Sequence, residues 1–167
     1  HLDTLTAQAA LAEELLLGAR KFEEGEALSR ETWHGLKQQL GPDHRDTLDA
    51  MSTYCAALAI PGGREQEVEP LERELLAKRE QVNGPNDFNT IDAIGNLAYI
   101  LATQGKLAEA EKYGRQELTR FQSAGFGDKR NALYSANNLA LYRMLQGDAA
   151  EAQKLLEEKY KIAVNVW

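Results

Sequence analysis

A histidine two residues before an aspartate has the right atoms for a divalent metal, and the chain has this pair twice, as His1 with Asp3 and His44 with Asp46. A metal shell needs three or four such donors. No further cluster of histidine, cysteine or aspartate completes one here, so no metal is expected, and both aspartates read more simply as helix starters. Cys55 is the single thiol. It stands at a position that repeats as a small residue along the chain, which predicts a buried, inert side chain rather than a nucleophile. The carboxylate pairs Glu13-Glu14, Glu23-Glu24 and Glu157-Glu158 have the residue type for general acid and base work. They lie in amphipathic stretches beside lysines and arginines, the pattern of a solvated helix face. Gly62-Gly63 follows no strand and lacks the Lys-Ser or Lys-Thr of a phosphate loop. His34, alone beside Trp33, reads as a packed or half-exposed side chain. Nucleophile, base and oxyanion donors do not assemble anywhere, so the chain is expected to be no enzyme and to need no cofactor.

Charge narrows the partners. The 167 residues hold 26 acidic and 19 basic side chains, for a net charge of -7, with no basic block. Such a field repels phosphate backbones and acidic membrane surfaces, so neither nucleic acid nor membrane is expected as a partner. No run approaches the roughly 18 apolar residues that span a bilayer, and no signal-peptide pattern opens the chain. With one cysteine, the expected location is cytoplasmic. Arg30, Arg73 and Arg115 recur 43 and 42 residues apart. A ladder of this kind can bind an acidic partner, but pairing with neighbouring glutamates between stacked helices is the reading favoured here.

The elements that position these residues are repeats. His1-Leu2-Asp3-Thr4-Leu5 returns as His44-Arg45-Asp46-Thr47-Leu48, then as Asn89-Thr90-Ile91 and Asn131-Ala132-Leu133, at offsets of 43, 43 and 42. Four units follow, approximately 1–43, 44–86, 87–128 and 129–167. Each reads as two helices. Asp3, Asp46, Asn89 and Asn131 are taken as N-caps. Ile91, Ile94, Leu97, Ala98 and Leu101 then recur at three- and four-residue intervals, marking one buried helical face. In the second helix of that unit the apolar stripe is Leu107, Ala110, Tyr113, Leu118 and Phe121. Gly41-Pro42, Gly84-Pro85 and Gly125-Phe126-Gly127 close the second helices. Small residues recur at one crossing point, Ala12, Cys55, Ala98 and Ala140 on first helices against Gly25, Val68, Ala110 and Ala152 on second helices, where two backbones must approach closely. Leu28, Leu71, Tyr113 and Leu155 fill the flanking space. Glu65 in the place of Phe22 and Leu107, with Pro61-Gly62-Gly63 as the turn, predicts that the second unit is the most irregular.

These spacings resemble the tetratricopeptide repeat across essentially the whole chain. The unit is about eight residues longer than the usual 34. That length, with Leu40-Gly41-Pro42-Asp43-His44-Arg45-Asp46-Thr47-Leu48 between units and Asn137-Asn138-Leu139-Ala140 within one, is similar to the kinesin-light-chain type of repeat, which also occurs in arrays of NACHT- or NB-ARC-type signalling proteins. The resemblance implies an all-α fold, a right-handed α-solenoid of four antiparallel helical hairpins forming a single array. It further implies a protein-protein interaction scaffold that captures a peptide or partner segment in a concave groove of first helices. Transferred to this chain, the groove is lined by Asp49, Ser52 and Ala56, then Asp92, Asn96 and Tyr99, then Tyr134, Asn137 and Leu141. The alternative is a structural or regulatory array inside a NACHT- or NB-ARC-type signalling protein. The chain starts on a helix-cap motif without a methionine and stops at Asn165-Val166-Trp167 without a polar capping helix, so it is expected to be a piece of a longer protein, or to form a homo-oligomer through its uncapped ends.

Overall fold

The computed structural model describes residues 1–125 and 129–164. Among them there is no strand, and the helices are α1 (Leu2–Glu13, continued by a π-helical turn over Glu14–Gly18), α2 (Phe22–Leu40), α3 (Arg45–Ala59), α4 (Glu65–Val82), α5 (Phe88–Thr103), α6 (Leu107–Ser123), α7 (Lys129–Leu145) and α8 (Ala149–Val164). The chain divides into two compact units, His1–Val82 and Asn83–Trp167. In the first, α1 packs on α2, α2 on α3 and α3 on α4; in the second, α5 packs on α6, α6 on α7 and α7 on α8. Each unit is thus two helical hairpins laid side by side.

The helix starts lie two residues earlier than the sequence suggests. The caps of α1, α3 and α5 are His1, His44 and Asp87, so Asp3, Asp46 and Asn89 fall inside the first turn. His44 Nδ1 accepts from Asp46 N at 3.2 Å, and Asp87 Oδ1 accepts from Asn89 N at 3.0 Å. Both cap residues are extended, with ψ near 142° and 143°. An acidic residue is also favoured inside the first turn, where it faces the positive end of the helix dipole, so for Asp3 and Asp46 residue type alone does not separate the two positions. Asn131 is likewise the third residue of α7, and the residue that precedes α7 lies outside the described set. Phe126 and Gly127 of the expected α6 stop, the terminal Asn165-Val166-Trp167 and the Glu158 side chain are outside it too.

Crossing geometry follows the small-residue register. Ala12, Cys55, Ala98 and Ala140 are at most 1% exposed, and Val68, Ala110 and Ala152 at most 2%. At Gly25 the approach is so close that an added Cβ would meet the Leu16 side chain. A larger residue at these places would force the helices apart. The second hairpin is irregular, with two left-handed glycines in its turn and Pro70 inside α4, which removes one helical hydrogen bond. The first hairpin departs further from regular geometry, through its π-helical turn and through Arg20, a non-glycine residue at φ 54°.

Candidate functional site

Helical spacing brings one set of polar side chains to a common place in the second unit. On α5, Ile91, Ile94, Leu97, Ala98 and Leu101 are buried, which turns Asp92, Gly95, Asn96 and Tyr99 to the other side. On α7, Asn131, Tyr134 and Asn138 follow at intervals of three and four residues, and on α6 Glu117 and Phe121 are four apart. Together they line a cleft of about 290 Å³. Phe121 is buried, with its ring tilted against Phe88 at 5.8 Å. Tyr99 and Tyr134, by contrast, are 55% and 62% exposed and form the rim. Rings of this kind combine an apolar face with a hydroxyl handle.

Glu117 makes the floor unusual. Its side chain occupies the buried stripe of α6, Ala110, Gly114, Glu117 and Phe121, at 9% exposure. The carboxylate rests against Gly95, where any Cβ would collide with it, so the absence of a side chain at that point is what makes room. A hydrogen bond from the Ser135 hydroxyl favours ionisation, but that hydroxyl has one proton and also lies 3.0 Å from the Asn131 carbonyl. Burial outweighs it, and with the negative charge of Asp92 nearby the carboxyl is pushed up to about 7. No cation among the described residues pairs with it. The Tyr142 hydroxyl is raised as well, chiefly by burial and then by Glu117.

Of the groove residues expected from the resemblance, four line this cleft: Asp92, Asn96, Tyr99 and Tyr134. Asn96 Nδ2 donates to Asp92 Oδ2 at 3.4 Å, one turn apart. Asn137 and Leu141 are exposed on α7 but do not line it. Gly95, Glu117, Phe121, Asn131 and Asn138 complete the cleft, and none of them was assigned to the groove from the sequence. A signal for Glu117 exists: in repeat register it stands where Thr32 and Leu75 stand, and both of those are buried. The apolar reading of α6 passed over it because Tyr113 and Leu118 look like the better stripe; both are only half-buried.

The other expected residues belong to the first unit. Ser52 is half-buried and Ala56 exposed on α3. Asp49 is committed to an internal partner: its Oδ1 accepts from Arg79 Nη2 at 2.9 Å, with the arginine side chain 4% exposed. Cys55 is fully buried, and burial together with the nearby Glu72 raises its thiol far above the ordinary range, as an inert thiol requires. Arg73 and Arg115 of the arginine ladder pair with Glu69 at 3.0 Å and Glu111 at 2.8 Å, one turn away on their own helices rather than between stacked ones, and Arg115 also reaches Glu151 on α8 at 3.7 Å. His34 stacks on Trp33, which also stacks on Tyr54.

Residues 89–165 match the family model of the tetratricopeptide repeat. No curated protein matches the chain at a significant level. Among solved structures, the chain is similar to the nearly identical TPR-like repeats of a protein assigned as a kinesin light chain in Podosopora anserina, at 20% identity and a TM-score of 0.86, covering 100% of this chain and 78% of that one. A point variant of those repeats gives 21% and 0.85, covering 99% and 77%. BtubC (BKLC) from P. vanneervenii superimposes with a TM-score of 0.89 at 13% identity, covering 100% of this chain and 67% of the other.

Proposed function

Starting from a helical repeat fold of tetratricopeptide type, similar to kinesin-light-chain-like arrays, we propose that the chain is a protein-interaction scaffold that captures a peptide or partner segment on its first-helix residues. Repeats of this type generally serve protein-protein contact. The observation that supports the reading is the cleft whose rim is two largely exposed tyrosines and whose walls carry Asp92 and Asn96. Tyrosine supplies contact area with little loss of rotamer freedom, while the amides donate to and accept from a peptide backbone. Asn137 and Leu141 extend this surface along α7, and Asp49, Ser52 and Ala56 are the corresponding first-helix positions of α3. Among the described residues no helix is long and apolar enough to cross a membrane, and we place the scaffold in the cytoplasm. The resemblance also leaves a regulatory array that packs against its own parent chain or a second copy; either would compete with partner capture.

The test is co-purification of partners with the tagged protein. Tyr99→Ala and Asn137→Ala should each reduce recovery several-fold with unchanged far-UV circular dichroism, because both side chains are exposed. Ala98→Leu, at a crossing point that is 1% exposed, should instead lose helicity by overpacking. Full recovery with both surface variants would remove the site assignment.

A further inference from the structure

A buried carboxylate without a counter-charge is expensive, and it is normally paired or coordinated. Glu117 has neither among the described residues, yet it is not sealed in: it forms the floor of an open cleft. Resting on the groove-capture reading, we propose that this cleft seats the cationic side chain of an arginine or lysine from a basic partner peptide, with the Glu117 carboxylate as its counter-ion. The lining fits such a group from every side. The Glu117 carboxylate supplies negative charge, and the amide oxygens of Asn96 and Asn131 can accept from a guanidinium or ammonium, which carries several N–H donors and no acceptor. The Tyr99 and Tyr134 rings at the rim offer their π-faces to a cation. Gly95 keeps the approach open.

Other occupants fit less well. An anion would face two carboxylates. A neutral apolar group would leave Glu117 buried and unpaired. A peptide is favoured over a free small cation because the exposed surface continues past the cleft along α7, where flanking residues find contacts. The overall charge of -7 draws basic segments toward the protein.

The experiment is a titration of the isotopically labelled full chain, read by amide resonances, with five-residue peptides Gly-Gly-X-Gly-Gly in which X is arginine, lysine, citrulline or norleucine. Free spermidine provides a fifth arm. Arginine and lysine peptides should shift the amides of Gly95, Glu117 and Asn131 in a saturable way. Citrulline keeps the shape of arginine without its charge and should bind at least ten-fold more weakly. Glu117→Gln should lower the arginine affinity by ten-fold or more. If that variant disturbs folding, Gly95→Ala, which pushes a methyl group into the carboxylate, is read by the same criterion. Equal binding of citrulline, or undiminished binding by either variant, would overturn the cation seat. Saturation of the same amides by spermidine more tightly than by the peptides would overturn a peptide as the occupant. Silence with every peptide also overturns the seat, while groove capture still stands or falls by the co-purification test.

Discussion

Both compact units of this chain bury charged side chains, and two of these, Arg79 and Glu117, stand at places where a repeat protein would ordinarily put an apolar one and are treated in opposite ways. In the first unit Arg79 stands in the register of Leu36 and Phe121, and Asp49 on the facing helix neutralises it at 2.9 Å. In the second unit Glu117 stands in the register of Thr32 and Leu75, and the counterpart of Asp49 is Asp92, a like charge that raises the Glu117 pKa. The hairpin frame is the same, and one register position on the first helix serves as counter-ion in one unit and as part of an acidic cleft in the other. A closed charge belongs to stability; an open one remains for a ligand. Their substitutions should therefore move stability in opposite directions.

The largest effect is expected at the closed pair. Asp49→Ala leaves the Arg79 guanidinium in a site where its side chain is 4% exposed. Removing one partner of a fully buried pair costs about 3–5 kcal/mol, and the half-exposed position of Asp49, together with the further interaction that Arg79 keeps, reduces this to about 2 kcal/mol. Urea unfolding should show the midpoint falling, with loss of the first unit's signal ahead of the second. A change within about 0.5 kcal/mol would mean that Arg79 is held without Asp49, and the contrast between the units would collapse.

Glu117→Gln should act the other way and only at the upper end of the pH range. A carboxyl whose pKa rises from an ordinary 4.5 to about 7 on folding favours the folded state in its protonated form. That contribution is fully present below pH 4.5 and is lost as pH rises through about 7, since the native state binds the extra proton between these values. The wild-type chain should lose roughly 1–3 kcal/mol between pH 4.5 and 8 from this group. The glutamine variant should lack that component and be the more stable protein at pH 8. Denaturation at pH 5 and pH 8 compares the two, and parallel pH profiles would show that Glu117 is not desolvated in the folded protein.

Why the hairpin frame was visible in the sequence and neither buried charge was follows from how each is specified. The hairpin frame is written locally: periodic apolar faces on α5, small residues at the crossing points and glycines after the helices all act within one or two turns, and they appear in the structure where they were expected. Cap positions are written more loosely, so His44 and Asp87 were displaced by better-looking neighbours two residues on. The cleft depends on three helices at once. Tyr99 and Tyr134 were legible because the resemblance assigns first-helix faces to binding. Glu117 was not, because it comes from a second helix and a charged residue on an amphipathic helix is by default read as solvated. Only its register with Thr32 and Leu75, together with the missing side chain at Gly95, reveals that it points inward. The Arg79–Asp49 pair was hidden for a similar reason: thirty residues separate the partners, and Asp49 carries the same residue type whether it holds an internal arginine or faces solvent.

The smallest effect compares the turns rather than the charges. Arg20 lies in register with Gly63, Gly105 and Gly147, and all four adopt left-handed backbone, with φ of 54°, 85°, 77° and 85°. Only at Arg20 does a side chain meet this conformation, which costs an L-residue roughly 1–2 kcal/mol. Its guanidinium sits 5.9 Å from the Phe22 ring centroid, at an exposed position where a cation–π contact is worth about 0.5–1 kcal/mol. Glycine removes the strain but loses that contact and adds freedom to the unfolded chain. The balance puts Arg20→Gly within about 0.5 kcal/mol of zero in the first unit, and Gly105→Ala at a loss of about 1 kcal/mol in the second. Thermal unfolding of the two variants checks both values. A stabilised Gly105→Ala would mean that the turn of the second unit can leave the left-handed region at little cost, and that the π-helical turn before Arg20, rather than the residue at the turn itself, sets the difference between the first hairpin and its three repeats.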